Sequence, residues 1–228
     1  LCFSSHLILC HDLRQETIYF QKTRCGDVIN MKMKSAIFAA AFAALAPSAA
    51  FAHPGHGDAM GFMHGFAHPI SGMDHILAMV LVGLFAFQLG GRALWLTPAT
   101  FVLVMAIGGA LGVAGVNVPF VETGIALSVV VLGAIVAMGV KAPVAAAMGI
   151  VGLFAIFHGQ AHGAEMPDNA GGLAYAAGFL IATAFLHLAG IGLGAAIGRA
   201  GERYGAAVTR TVGGLAAFAG VGILTGVL

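Results

Sequence analysis

The chain has 228 residues, of which 60% are hydrophobic and only 8% are Asp, Glu, Lys or Arg. A soluble domain carries roughly 25% charged residues because its surface must face water, so a water-soluble globule of this size is excluded and a multi-pass membrane protein remains. The formal net charge of +1 leaves no electrostatic footprint for nucleic acid, whereas ten histidines match the ten lysines and arginines combined.

Residues 1–30 show neither helical nor alternating periodicity and hold all three cysteines, Cys2, Cys10 and Cys25. They are expected to be an over-extended reading frame or an added segment rather than a short cytoplasmic extension. From Met31 the pattern changes. Lys32 and Lys34 form a basic region, Ala36–Leu45 an apolar run, and Ala50-Phe51-Ala52 a small-x-small cleavage site. Residues 31–52 therefore read as a cleavable signal peptide, the alternative being an uncleaved first helix. A mature chain from His53 holds no cysteine, so metal chemistry there must use imidazole, carboxylate, thioether or backbone oxygen. Residues 53–66 read as a His/Gly-rich outer tail, in which His53, His56 and His64 either capture metal weakly or belong to an unordered spacer.

Six apolar stretches of spanning length follow, over 67–89, 94–116, 120–140, 143–163, 172–197 and 208–228, since about 20 apolar residues cross the hydrocarbon. The expected fold class is all-α: a six-helix transmembrane bundle over 67–228 behind the signal peptide. The tight break at Gly139-Val140-Lys141 predicts a hairpin of the third and fourth spans. With His53 outside, Arg92, Lys141, Arg199, Arg203 and Arg210 fall inside, while Asp58, Glu122, Glu165 and Asp168 fall outside. That asymmetry obeys the positive-inside rule and puts the C-terminus outside as well. Glycines such as Gly108, Gly109 and Gly112 predict close helix packing and carry no information about cargo.

Ionisable groups at membrane depth usually line a cavity or a pathway. The first cluster is His68-Pro69-Ile70-Ser71-Gly72-Met73-Asp74-His75. Seven residues apart on a straight helix, His68 and His75 would be about 10 Å apart along the axis. They cannot then share one ion unless the backbone departs from that helix, which Pro69 and Gly72 make possible. Asp74 is either a ligand or the acceptor for an imidazole N–H. The second cluster is Phe157-His158-Gly159-Gln160-Ala161-His162-Gly163-Ala164-Glu165, whose spacing puts His158, His162 and Glu165 on one stripe. It is not the zinc-protease pattern, because Gly159 stands where the glutamate would be. The first span begins outside and the fourth ends outside, so both clusters fall at one depth. Glu122 either joins them or sits at the interface, and His187 is either an inner station or a cross-helix hydrogen-bonding group. Packed, hydrogen-bonded histidines without any ligand are the plainer reading of the set.

These two motifs, His68-Pro69-x-x-Gly72-x-Asp74-His75 and Phe157-His158-Gly159-x-Ala161-His162-Gly163-x-Glu165, resemble the signatures of the HupE/UreJ family over essentially the whole chain from Met31. The resemblance implies a bacterial inner-membrane permease for nickel or cobalt, associated with hydrogenase or urease maturation. It implies metal recognition by His68, Asp74, His75, His158, His162 and Glu165, with no prosthetic group and no catalysis. Imidazole with carboxylate suits Ni²⁺, and also Co²⁺ or Zn²⁺. The competing readings are an intramembrane metal hydrolase, a haem-binding electron carrier, and a metal-binding accessory protein that does not transport.

Overall fold

The computed structural model describes residues 57–166, 171–199 and 201–228. The expected signal peptide, His53, His56 and Asp168 lie outside the described residues. The helices are α1 (Gly57–Ser71), α2 (Met73–Leu89), α3 (Ala93–Val113), α4 (Val121–Met138), α5 (Val144–Ala164), α6 (Gly172–Gly198) and α7 (Glu202–Leu224). The described residues contain no strand. This is an all-α membrane bundle.

The centre of the bundle is α2, which packs against every other helix. Its sequence explains the position. From Ala78 to Ala86 it is apolar almost all round, and Ala78, Met79, Leu81, Val82, Leu84, Phe85 and Ala86 are buried. A helix without a polar face must be enclosed on all sides. The surrounding helices turn large apolar side chains outward, among them Leu103, Ile107, Leu153, Phe185, Leu188 and Phe218. Such a surface suits lipid and not water.

Five helices, α3 to α7, are each long and apolar enough to cross a membrane, and α1 with α2 makes up to a sixth as one broken span. The expected single span over 67–89 is two helices bent by 81° at Gly72. Pro69 removes one backbone donor from the end of α1. At Gly72 the chain runs extended, and a Cβ there would meet Asp74 Oδ1 at 2.7 Å. The missing side chain leaves room for the Asp74 carboxylate to fold back and accept the His75 backbone N–H at 2.8 Å. One unpaired donor at the start of α2 is thereby satisfied.

Helix also begins well before the expected start at 67, because part of the supposed outer tail belongs to α1. The reason is packing against α6. Cβ atoms at Gly61, Gly65 and Gly178 would strike the backbones of Gly171, Tyr175 and Phe62, so only glycine permits this approach. The other boundaries agree with expectation to within a few residues, except that α7 begins earlier, at Glu202.

Helix pairing follows the glycines rather than the order of the chain. The longest seam is α3 on α5, and α4 packs chiefly on α7. At the first seam, a Cβ on Gly159 would collide with the Met105 carbonyl and one on Gly163 with the Gly109 carbonyl. The expected hairpin partners, α4 and α5, do touch, but less extensively.

Candidate metal centre

The α3–α5 seam orients the second motif. Gly159 and Gly163 press on α3, while His158 and His162, one residue earlier in each case, turn to the bundle interior. Each histidine is thus followed by the residue that fixes its helix in place. Fractional exposure is 0% for His158 and 5% for His162.

The bend at Gly72 then does what a straight helix could not. It sets His68 and His75 on either side of His162, with ring centroids 4.6 Å and 4.5 Å from it. The separation expected for an unbroken helix does not arise. His75 lies 4.9 Å from His158 by ring centroid, and His64 stands 6.3 Å from His68 at the exposed end. Five imidazoles therefore run in file from the surface inward: His64, His68, His162, His75, His158. Phe101 comes next, its ring 5.6 Å from His158 on one side and 5.2 Å from His187 on the other.

Three ligand atoms converge at the mouth of this file. His68, His162 and Glu165 each offer one, all within 4.8 Å of one another. His68 Nε2 is 3.5 Å and His162 Nδ1 4.0 Å from Glu165 Oε2. Small movements of the half-exposed His68 and the exposed Glu165 bring such a set to the roughly 2 Å bonds of a divalent transition metal. A His/His/Glu site able to bind a divalent metal is therefore present.

Hydrogen bonds set which nitrogen is free. His75 Nδ1 lies 2.8 Å from Asp74 Oδ1, and an ionised carboxylate only accepts, so Nδ1 carries the proton. In the neutral ring Nε2 is then the acceptor. His162 Nε2 lies 2.6 Å from it and must donate. The His162 lone pair consequently falls on Nδ1, a buried atom with no hydrogen-bond partner among the described residues, on the side of Glu165. Asp74 acts on the mouth through two rings, as the acceptor that settles both tautomers.

Other expected residues fall in different places. Glu122 is exposed in the first turn of α4 and does not belong to the converging set. His187 is 1% exposed and neither ring nitrogen has a hydrogen-bond partner among the described residues, so the cross-helix hydrogen bond considered for it is absent there. Two groups had no place in the sequence reading. Ser128, buried in α4, lies 3.0 Å from His158 Nε2; a serine in the middle of an apolar helix was the available signal. Phe179 packs on His162 at 4.1 Å between centroids, and nothing distinguished it from other phenylalanines. Beside His162, a largely apolar cavity of about 350 Å³ opens between α3, α5 and α6.

A multi-pass helical bundle with a His/His/Glu cluster at one end is a membrane protein of the metal-binding or metal-transporting class. The sequence model described as HupE / UreJ protein matches residues 40–223. Protein HupE of Rhizobium leguminosarum bv. viciae is 49% identical over 197 residues, covering 85% of this chain and 100% of that protein. The chain belongs to the HupE/UreJ family, which comprises transporter and accessory proteins rather than enzymes. No solved structure matches the chain.

Proposed function

We propose that the protein is a secondary permease that imports a divalent transition metal, with Ni²⁺ preferred over Co²⁺ or Zn²⁺. The observation that carries this reading is the file of imidazoles, which passes from exposed His64 through half-buried His68 to buried His162, His75 and His158. A purely structural histidine cluster has no need of such a gradient. Hydrated metal exchanges water for His68, His162 and Glu165 at the mouth, then passes to His75 and His158, with His187 beyond Phe101 as the inner station. Neutral imidazoles and ionised carboxylates lower the cost of bringing a dication into the bundle.

In this reading α1 and α2 count as one of six spans, the signal peptide is removed, and the mouth and both mature termini lie on the periplasmic side of a bacterial inner membrane. The basic residues of the α2–α3, α4–α5 and α6–α7 connections support that orientation. Imported metal would feed hydrogenase or urease maturation.

The test is uptake of radioactive nickel by cells lacking their own nickel importers, at matched membrane expression. Wild type should accumulate nickel above empty vector, and His162→Ala and Glu165→Ala should each lose most of that increment. Excess Co²⁺ should compete more strongly than excess Zn²⁺. Wild-type uptake equal to empty vector would end the permease reading for the chain acting alone.

A further inference from the structure

The hydrogen bonds around Ser128 determine which atom of His158 meets the metal. Ser128 Oγ lies 2.6 Å from the Ile125 carbonyl oxygen one turn earlier in α4. Two oxygens so close need a proton between them, and a carbonyl has none, so the serine hydroxyl must donate there. Serine has a single hydroxyl proton. Towards His158 Nε2, at 3.0 Å, Ser128 can therefore only accept. Nε2 must carry the ring proton, and in the neutral imidazole Nδ1 carries the lone pair. That Nδ1 is buried and has no hydrogen-bond partner among the described residues, a condition seldom tolerated without a purpose.

We infer that Ser128 is a positioning residue of the metal path: it holds His158 in the Nε2–H tautomer and so leaves Nδ1 as the atom that takes the ion. The same logic operates at the mouth, where Asp74 acts through His75 and His162. The two ends of the file use different acceptors, a carboxylate near the surface and a serine hydroxyl in the apolar interior. An ionised group beside His158 would add a charge where none can be solvated, whereas a hydroxyl already bonded to its own helix adds none. The inference deepens the permease reading and rests on it for the transport consequence alone.

The test uses the full chain in lipid nanodiscs, labelled with nitrogen-15 histidine, with Zn²⁺ as a diamagnetic probe. The His158 resonances are assigned by their loss in His158→Gln. Wild type and Ser128→Thr should show His158 as a single Nε2–H tautomer, with zinc shifting its Nδ1. Ser128→Ala should show mixed tautomers and a roughly 10–100-fold loss of zinc affinity at this histidine. Should His158 in Ser128→Ala keep the wild-type tautomer and affinity, or should zinc shift Nε2 in wild type, the assignment is overturned. Nickel uptake is scored separately. A wild type that binds zinc through His158 Nδ1 yet imports no nickel would overturn the permease reading and leave the role of Ser128 standing.

Discussion

Asp74 shows how one carboxylate can matter without touching the ion. Its oxygen accepts both the His75 backbone N–H and the His75 ring N–H, each at 2.8 Å, and through His75 it settles the proton on His162. We predict that Asp74→Ala lowers nickel affinity roughly 10–100-fold, measured by calorimetry on purified protein; affinity within twofold of wild type would refute the relay. The sequence placed Asp74 beside two histidines but left ligand and acceptor equally open, because only the bend at Gly72 decides the direction of the carboxylate. Acidification has a definite sign. Protonation of an imidazole fills the lone pair the metal needs. Nickel binding should therefore weaken as the pH falls, followed in the same titration.

Among the helices, glycine placement decides which pairs touch and how precisely the histidines are held. A Cβ on Gly159 would meet the Met105 carbonyl, so Gly159→Ala must push α3 and α5 apart. Overpacking of this kind costs about 1–3 kcal/mol, and thermal unfolding in detergent should register it together with reduced nickel uptake. Gly149, on the same helix, has nothing within 4 Å of an added Cβ; Gly149→Ala should unfold and transport as wild type does. Equal behaviour of the two variants would refute the seam as the support of the site. Hydropathy made the helices from α3 onward legible, because a span must be apolar over its length. It could not reveal that α3 prefers α5, since the contact is backbone against backbone and small residues occur throughout the sequence. The break in the first span was legible only as a possibility, through Pro69 and Gly72. The helix over the supposed tail was not legible, because it is held by contacts with α6 far along the chain.

Across the whole molecule, the agreement of charge asymmetry with helix order can be tested directly. The chain's three cysteines all precede residue 31, so replacing them leaves a background for single-cysteine labelling. In intact cells, a membrane-impermeant thiol reagent should modify Phe120→Cys, an exposed position before α4, and spare Lys141→Cys until the membrane is opened. The reverse pattern would invert the bundle and make the His68–Glu165 mouth cytoplasmic. At this scale the site was legible as a coincidence of depth: two motifs far apart in sequence, one opening a span and one closing another, could meet only at the same end. What remained invisible was the order of residues within that meeting, since periodicity on either helix says nothing about the angle between them.

The histidine cluster contains two carboxylates, Asp74 and Glu165. Neutral imidazoles contribute no charge, so a dication held there makes an assembly of zero net charge, while the empty site carries two negative charges. An electric field across the membrane acts on the second state and not on the first, at about 2.3 kcal/mol per charge per 100 mV. With the cell interior negative, loading at the mouth neutralises the two carboxylates, and the field acts on the ion again once it leaves them for His158 and His187. The membrane potential then does its work on the inner part of the imidazole file and not at the mouth, so saturated uptake should quicken as the interior becomes more negative.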